Sequence, residues 1–519
     1  MLSEPDNLPD DTQSLKQMIS SQQQQIDYLQ EMVRLLKNEL FGRKSEVLPP
    51  VTSNQMPLFD ADAPVEPIET DEKLVIPAHT RKKRGRKPLP EDLPRVEVIH
   101  DLPEDEKLCA CGADLSRIGE EICEKLDYVP ARIQVIRHIR PKYACKSCEG
   151  VEDDRPTVRI APPAEQLIPK SIATEGLLAH IAVSKFADAL PLYRQQKIFS
   201  RLGVDISRST LANWMIQAAE RCGPLIELLE QEIRGGPVIN IDESPLQVLN
   251  EPGRRNTTKS YMWVFCGGAL DRPVVLFRYH PTRSGETALK MVDGYQGYIQ
   301  SDGYVGYDYL SGKPGITLLG CMVHARRKFM AVVKIRKKER GKKPATKGLA
   351  DEALDYIKEL YRIEKCARQN ELTVEQIQEL RQKKSKPILD RFKIWLDTYH
   401  PQVPPKSLLG KAIQYALNQW ERLVVYIKAG FLKPDNNVAE NAIRPFVLGR
   451  KNWLFAGGPK GAGTSAAFFS LIETAKANDL EPYAYLRYLF EKIPSARTEA
   501  DFRELLPNRI DKAAINAAG

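Results

Sequence analysis

Long apolar runs are absent from this sequence. No stretch of about 18 apolar residues occurs, which is the length that a helix needs to cross a membrane, so a membrane partner is not expected. The N-terminus is acidic and polar, and we therefore expect no signal peptide. Cysteine is also scarce, with nine in 519 residues. Without a disulfide framework or a secretion signal, the sequence predicts a protein of the reducing cytoplasm.

Composition excludes disorder across the whole chain, because 42% of the residues are hydrophobic and can supply buried cores. At roughly 150 residues per domain, the length predicts about three domains. The formal net charge is +8, and this moderately basic balance permits a nucleic-acid partner without requiring one.

The N-terminal segment carries apolar residues at alternating spacings of three and four residues. A period of about 3.5 residues keeps one stripe of a helix facing a partner helix. We therefore predict a short coiled coil that pairs protomers, with an amphipathic helix packed on its own chain as the alternative. One polar member, Gln22, can fix the register of the pairing. The seam comprises Leu15, Ile19, Gln22, Ile26, Leu29, Val33, Leu36 and Leu40.

A linker and a basic segment follow. Residues 47–80 are rich in proline and acidic residues without periodicity, which is typical of a flexible linker. Residues 81–88 (RKKRGRKP) resemble an AT-hook, a motif that lies extended in the narrow minor groove of DNA. Arg84, Arg86 and Lys87 are its candidate DNA contacts, and a solvated basic linker is the alternative.

Four cysteines form two close pairs, with a strand-like stretch at 128–137 between the pairs. Four thiolates held tetrahedrally satisfy Zn²⁺, and two knuckles joined by strands deliver that geometry, so we predict a structural zinc site. The first pair is one residue shorter than usual, so Cys123 or His138 could replace a ligand. Buried free cysteines are the alternative. The pairs are Cys109 with Cys111 and Cys145 with Cys148.

Residues 172–222 have the apolar pattern of three helices, the last capped by Ser207 or Ser209. Gly203 ends the second helix, and a helix, a Gly-containing turn and a helix form the pattern of a helix-turn-helix motif. An ordinary helical hairpin is the alternative. The predicted helices span 173–187, 191–201 and a segment through Trp214 and Ala219. The residues expected near a DNA groove are Arg208, Ser209, Thr210 and Asn213.

From residue 237 the hydrophobic period changes from that of helices to that of strands. Three strands, a helix, a fourth strand and a fifth strand follow, which is the order of an RNase H-like fold. We therefore predict an α/β core of this type. The strands are predicted at 237–242, 261–266, 274–279, 297–302 and 316–321, with a helix at 286–292 and another carrying His324, Arg326 and Arg327.

Two of these strands end in an acid, Asp242 on the first and Asp302 on the fourth. The two strands lie side by side in this fold, so both carboxylates are expected at one edge of the sheet. Two carboxylates at such a short distance repel each other unless a cation lies between them. Mg²⁺ prefers oxygen ligands, and two such ions about 4 Å apart support phosphoryl transfer. We therefore predict a site for two Mg²⁺ or Mn²⁺ ions.

A third acid is expected on a later helix, and Glu440 is the candidate. The alternative is a capping box, with Asn437 as the helix cap and Glu440 as the third helical residue. Residues 331–430 are predicted to be a helical insertion, rich in Lys and Arg, that covers the site and contacts DNA phosphates; a solvated charged helix pair is the alternative. The expected DNA contacts around the acids are His324, Arg326, Arg327, Arg444, Arg450 and Lys451.

Several segments, taken in order, match a known pattern. They are residues 40–46 (LFGRKSE), the cysteine pairs, 190–194 (LPLYR), 209–214 (STLANW), 241–244 (IDES), 301–304 (SDGY), 320–329 (GCMVHARRKF), and 436–440 (NNVAE) through 449–457 (GRKNWLFAG). Through them the chain resembles the IS66 family of insertion-sequence transposases. The resemblance implies that Asp242, Asp302 and Glu440 form a DDE triad, and that a leucine zipper, a zinc-binding domain and a small C-terminal element are present. The chain departs from the family in its short first cysteine pair and in a C-terminus without the Trp expected after its Pro.

The resemblance implies metal-dependent cleavage of DNA at the ends of an insertion sequence and strand transfer to target DNA. We expect a homodimer or larger assembly on DNA, near the bacterial nucleoid, with small accessory proteins of the same element as further partners. The rival interpretations are a non-catalytic DNA-binding regulator and a structure-selective RNase H-like nuclease. The predicted domains are a coiled coil (1–46), a linker with the basic segment (47–99), a zinc-binding domain (100–160), a helix-turn-helix domain (165–232), a catalytic core (233–330 and 431–478), a helical insertion (331–430) and a C-terminal element (479–519).

Overall fold

The computed structural model describes residues 133–144, 158–340 and 348–516, with residues 11–13, 18, 22, 26 and 33 of the N-terminal segment. Three members of the heptad seam (Gln22, Ile26 and Val33) are described, and each is helical. Within the described residues, no helix is both long and apolar enough to cross a membrane. The predicted features outside these residues are the linker, the basic contacts Arg84, Arg86 and Lys87, and the cysteines Cys109, Cys111, Cys123, Cys145 and Cys148.

A short antiparallel hairpin lies ahead of the helical region, with β1 (Lys142–Ala144) paired to β2 (Val158–Ile160). The strand predicted at 128–137 is wrong for its described part, because residues 133–141 form neither helix nor strand. The apolar side chains that suggested a strand are largely exposed there, as Val135 is at 93%. A strand needs a partner that covers such side chains.

Four helices come next: α1 (Glu175–Phe186), α2 (Leu192–Arg201), α3 (Arg208–Arg221) and α4 (Gly223–Arg234). The first three confirm the predicted helices. Ser207 caps α3, since its Oγ accepts a hydrogen bond from the Thr210 N–H at 3.1 Å. Helix α4 is an addition to the prediction, and its buried apolar residues recur at helical spacing, as in Leu225, Leu229 and Ile233.

The main sheet is mixed. Its strands are β3 (Val238–Val248), β4 (Lys259–Ala269), β5 (Arg272–His280), β6 (Gly297–Gln300) and β7 (Ile316–Leu319), with helix α5 (Gly285–Met291) between β5 and β6. The spatial order is β5-β4-β3-β6-β7. The first three strands are antiparallel neighbours, whereas β6 is parallel to β3, and β7 to β6. All five predicted strands are therefore present in the predicted sequence order.

Beyond β7 the chain forms a helical layer. Helix α6 (Met322–Arg340) starts it, followed by α7 (Leu349–Gln369), α8 (Val374–Leu380), α9 (Lys386–Tyr399), α10 (Leu408–Asn418) and α11 (Trp420–Leu423). These helices bury their own hydrophobic cluster, which is separate from the main core and includes Phe329, Ile357 and Phe392. The prediction of helices over 331–430 is confirmed for the described residues.

The chain then returns to the sheet through α12 (Asn437–Trp453), β8 (Phe455–Ala456) and α13 (Pro459–Ala477). β8 is parallel to β3 and pairs with Gln247 and Val248. On the same side of β3, β6 pairs with residues 238–240. The predicted strand ends were wrong at β3, β6 and β7. β6 and β7 end at Gln300 and Leu319, each two residues earlier than predicted. β3 continues six residues past Asp242, because β4 and β8 extend the ladder that an isolated apolar run cannot reveal.

Helix α13 covers the free edge of β5. The Thr474 hydroxyl accepts from the Val275 N–H at 3.0 Å, and the Ser470 hydroxyl accepts from the Phe277 N–H at 2.8 Å. Further along, the side-chain amide of Asn478 donates to the Pro273 carbonyl at 2.8 Å. Polar side chains four residues apart on the helix therefore satisfy backbone groups two residues apart on the strand.

The last helices, α14 (Pro482–Lys492), α15 (Glu499–Glu504) and α16 (Lys512–Asn516), lie against the helical region near the start of the described chain. Glu232 of α4 accepts hydrogen bonds from Arg503 at 3.0 Å and from Arg509 at 2.8 Å. Tyr485 is fully buried in α14, and its hydroxyl donates to the Leu505 carbonyl at 3.1 Å.

Candidate active site

Two acidic residues lie beside each other, Asp242 within β3 and Asp302 two residues past the end of the neighbouring parallel strand β6. Asn240 of β3 is in register with Gln300 of β6, and Asp242 and Asp302 each follow two residues later. Oδ1 of Asp242 accepts from the Glu243 N–H at 2.9 Å, and Oδ1 of Asp302 accepts from the Tyr304 N–H at 2.9 Å. The sequence-predicted pair is therefore brought together, in the stretch of β3 between its partners β6 and β8.

Glu440 is on the first turns of α12, but not as a helix cap. The helix begins at Asn437 with Asn436 as the N-cap, so Glu440 is its fourth residue and its N–H bonds to the Asn436 carbonyl at 3.1 Å. The Glu440 carboxylate instead accepts from Nη2 of Arg327 at 2.6 Å. The capping-box interpretation is therefore wrong, because it placed the N-cap one residue too late.

A buried network of side-chain amides joins the segments that carry the three acids. Nδ2 of Asn240 lies 2.9 Å from Oε1 of Gln300 and 3.1 Å from Oδ1 of Asn436. Asn436 also donates to the Ile241 carbonyl at 2.9 Å, and Gln300 donates to the Lys433 carbonyl at 2.9 Å. These bonds fix the start of α12 against β3 and β6. Sequence reasoning missed them, although a polar residue at a buried strand position was a readable signal.

The electrostatics at the paired acids favour a bound cation. Burial, the charge of Glu243 and the charges of Asp302 and Glu440 raise the pKa of Asp242 to about 7. A cation between the carboxylates would remove this repulsion. Oε1 of Glu440 is buried without a hydrogen-bond partner among the described residues, so it too can accept a ligand bond. The donor set, all carboxylate oxygen at the three acids, fits Mg²⁺ or Mn²⁺.

A fourth acid, Glu243, follows Asp242 on β3, and its side chain is bonded within the protein. Its side chain is 2% exposed and forms an ion pair with Arg283 and a hydrogen bond with Tyr307. Burial raises the pKa of the Glu243 carboxyl, while the bonds from Tyr307 and Arg283 oppose this shift. The Arg283 guanidinium also stacks on Tyr304, 3.6 Å from the ring centroid. Glu243 therefore anchors the loop that follows Asp302.

The start of α6 packs against Glu440. The Met322 N–H donates to the Pro434 carbonyl at 2.8 Å, and the Asn436 N–H donates to Sγ of Cys321 at 3.3 Å. One turn on, His324 and Arg327 face the carboxylate. Both were predicted as DNA contacts, and in the structure both lie beside the carboxylate of the third acid. Their neighbour Arg326 is exposed.

The helical layer also reaches the site. The Tyr415 hydroxyl of α10 donates to the Asp302 carbonyl at 2.9 Å, and the Tyr361 hydroxyl of α7 donates to Oδ2 of Asp435 at 3.0 Å. Both bonds hold segments that carry acids of the site. The layer therefore supports the acids from the side of β7.

The remaining predicted DNA contacts differ in their exposure and in their bonds within the protein. Arg450 is bound within the protein, because its guanidinium donates to Oγ of Ser244 at 3.1 Å and to the Pro245 carbonyl. The guanidinium therefore joins α12 to β3, and the DNA contact at Arg450 stays a prediction. Arg444 and Thr210 are partly buried, whereas the exposed residues are Arg208, Ser209, Asn213 and Lys451.

A family model described as "Transposase IS66 family" matches residues 170–464, which include Asp242, Asp302 and Glu440. The chain belongs to the IS66 transposase family. Three further IS66-related models match other parts of this transposase. They are a "zinc-finger binding domain of transposase IS66" (106–149), "Transposase C of IS166 homeodomain" (28–98) and an "IS66 C-terminal element" (470–508).

Similar proteins occur in Sinorhizobium fredii (strain NBRC 101917 / NGR234). The uncharacterized protein y4jD is 34% identical, with 96% of each chain covered. The uncharacterized protein y4qI is 32% identical over 96% of this transposase and 92% of its own length. The uncharacterized protein y4hP is 32% identical over 80% of this transposase and 75% of its own length.

The family matches confirm the resemblance read from the motifs. As an IS66 transposase, the chain acts on DNA. The zinc-finger match spans both cysteine pairs, which is consistent with bound zinc. The match at 28–98 spans the end of the heptad seam and the basic segment.

Proposed function

We propose that this transposase cleaves the ends of its insertion sequence and transfers the strands to target DNA at a DDE site formed by Asp242, Asp302 and Glu440. The observation that carries the proposal is the register of β3 with β6, which lies next to the amide network that fixes α12. The strand order, three antiparallel strands followed by two parallel ones, supports an RNase H-like core.

The three carboxylates would hold Mg²⁺ or Mn²⁺, which supplies charge neutralisation and activation of the attacking oxygen in phosphoryl transfer. The protein's own part is positioning. The Glu243 N–H donates a hydrogen bond to Oδ1 of Asp242, and the Tyr304 N–H donates one to Oδ1 of Asp302. Arg327 holds one oxygen of Glu440 and leaves the other without a hydrogen bond in the described structure. The exposed Arg326, close in sequence to Arg327, is a candidate phosphate contact.

Asp242→Asn, Asp302→Asn and Glu440→Gln test the triad. Each removes a ligand charge with little change of shape, so each should abolish strand transfer on the element's own ends while leaving end binding intact. Asp271→Asn, in the exposed turn before β5, and Glu421→Gln, exposed in α11, are matched controls that should transfer normally. Wild-type transfer by any one of the three variants would remove that residue from the site.

Outside the acids, we assign structural zinc to Cys109, Cys111, Cys145 and Cys148, on the support of the zinc-finger match. Zinc bound per chain should fall in Cys145→Ser and Cys148→Ser variants, and unchanged zinc would refute the assignment. The heptad seam is proposed to pair protomers, so that two element ends are held together.

A further inference from the structure

Two buried polar atoms beside the site have no hydrogen-bond partner among the described residues: Nδ1 of His324 and Oε1 of Glu440. They face each other across 3.7 Å. An unmet buried donor or acceptor is costly, so a native structure that keeps such a pair needs an explanation. A metal ion that bridges the two atoms, or a hydrogen bond that closes between them, would supply the missing partners.

A metal ion bound by His324 is the first explanation, since Cys321, His324 and Glu440 each bring one ligand atom within 4.8 Å of the others. The contacts argue against it. Sγ of Cys321 already accepts from the Asn436 N–H at 3.3 Å. Cys321 is 1% exposed, and this bond ties its sulfur to the backbone at the start of α12.

Arg327 determines which nitrogen of His324 carries the proton. Its Nη1 lies 3.2 Å from Nε2 of His324. A guanidinium only donates, so Nε2 must accept, and the proton of the neutral ring is on Nδ1. The Nδ1–H group is therefore a donor facing Oε1 of Glu440, while Nη2 of Arg327 donates to Oε2 of the same carboxylate at 2.6 Å.

We propose that His324 is a positioning residue for Glu440: its Nδ1–H donates to Oε1 and, together with Arg327 on Oε2, fixes the carboxylate in the orientation that binds metal. The proposal rests on the proposed role of Glu440 in the DDE site. A carboxylate oxygen has two lone pairs, so Oε1 can accept from His324 and still bind a cation. Hydrogen bonds of this kind are often long in the free enzyme and shorten when the complex forms.

Three substitutions at His324 separate positioning from packing. Asn places a side-chain N–H near the position of Nδ1, whereas Gln places its amide near Nε2, and Ala provides neither. Groups that hydrogen-bond a metal ligand typically contribute about 10–100-fold to metal affinity or activity. We therefore expect His324→Ala and His324→Gln to weaken Mn²⁺ binding by about that factor. His324→Asn should keep both Mn²⁺ binding and strand transfer close to wild type.

The measurement is Mn²⁺ titration of the full-length, zinc-loaded protein, followed by the free-ion EPR signal, with strand transfer measured in parallel. His400→Ala is the matched control, since that exposed histidine of the helical layer bonds only to Gln414 among the described contacts. Thermal melting of each variant shows whether it is folded, and the comparison of Asn with Gln decides the question even if Ala does not fold.

Two results would overturn the inference: wild-type Mn²⁺ affinity in both His324→Ala and His324→Gln, or equal losses in the Asn and Gln variants. Failure of the DDE proposal is distinguishable, because Glu440→Gln would then transfer strands normally whatever happens at His324. If Glu440→Gln is inactive and the His324 variants are unaffected, only the positioning role falls.

Discussion

At Asp242, the groups that raise the pKa are the protein interior and neighbouring acids. Burial, Glu243, Asp302 and Glu440 all favour its protonated form, and the Glu243 N–H opposes them. The sequence predicts the pairing with Asp302, because parallel strands bring successive acids to one place. It does not predict that Glu243 is buried with Arg283, since that ion pair joins residues 40 positions apart.

The stability of the metal-free protein should depend on pH through Asp242. Its pKa is about 7 in the folded protein, above the ordinary aspartate value of 3.8. The stabilising contribution is complete below the lower value and is lost as pH rises through about 7. Asp242→Asn should therefore raise the melting temperature at pH 8 relative to wild type, and much less at pH 4. Added Mg²⁺ should raise the melting temperature of wild type more than that of the variant.

Differential scanning calorimetry in buffers without and with Mg²⁺ checks this prediction. Asp271→Asn serves as the control, because its carboxylate is 77% exposed and away from the acids. The prediction fails if the difference between Asp242→Asn and wild type is the same at both pH values.

At the scale of elements, the hydrophobic period identified strands β3 to β7 of the main sheet but neither β8 nor the end of β3. Strand ends depend on partners, and β4 and β8 lengthen β3 well past Asp242. The run Arg381–Ser385 shows the same limit. It carries three positive charges, yet Arg381 is 2% exposed. The partners that allow its burial are distant in sequence and cannot be read from the run itself.

Arg381 ties the helical layer to the segment that leads into α12. Its guanidinium pairs with both carboxylate oxygens of Glu364 at 2.9 and 2.7 Å. It also donates to four backbone carbonyls, those of Tyr426, Ala429, Gly430 and Leu432. These bonds fix the turn that precedes the amide network, so one side chain connects the helical layer to the segment that enters α12.

Arg381→Met should lower the free energy of unfolding by about 3–5 kcal/mol, because it leaves the Glu364 carboxylate buried without its partner. Arg381→Lys should recover little, since an ammonium cannot reproduce the fork of donors. Urea denaturation measures the change. Arg391→Met is the control: its side chain is 62% exposed, so the loss should be about 0–1 kcal/mol. A loss at Arg381 no larger than at Arg391 would contradict the assignment.

Across the whole molecule, the last long motif (436–440 through 449–457) joins the acid-bearing helix α12 to the predicted helix-turn-helix region. Nζ of Lys185 in α1 lies 5.6 Å from the Trp453 ring centroid, and the Asn452 amide donates to the Ala189 carbonyl at 3.0 Å. The motif therefore includes residues that hold the predicted DNA-binding helices to α12. The sequence alone predicted both regions but not the contact between them, because neither segment contains a pattern that identifies the residues it packs against.

Arg208→Ala should weaken binding to the element ends without changing chemistry at the acids. Arg208 begins α3 and its side chain is exposed, as expected for a phosphate or base contact. If it contacts a phosphate, the slope of log affinity against log salt should become shallower by about 0.9. Fluorescence anisotropy with labelled ends over a range of salt concentrations measures this slope.

Arg221→Ala, exposed at the far end of the same helix, provides the comparison. It removes an equal charge at a position one helix length from the predicted groove contacts. Equal effects of the two variants on affinity and slope would indicate a general electrostatic contribution and would contradict specific contact by the start of α3.

The three side chains with which α13 covers β5 bear on how copies of this protein can meet. An uncovered edge strand can recruit a strand from another molecule and begin aggregation. Here Ser470, Thr474 and Asn478 already occupy backbone groups of that edge, and Pro273 has no N–H to offer. Even where two copies are held close together on DNA, this edge of β5 is poorly suited to pairing with a strand of the other copy. The covered edge therefore favours solubility at high local concentration.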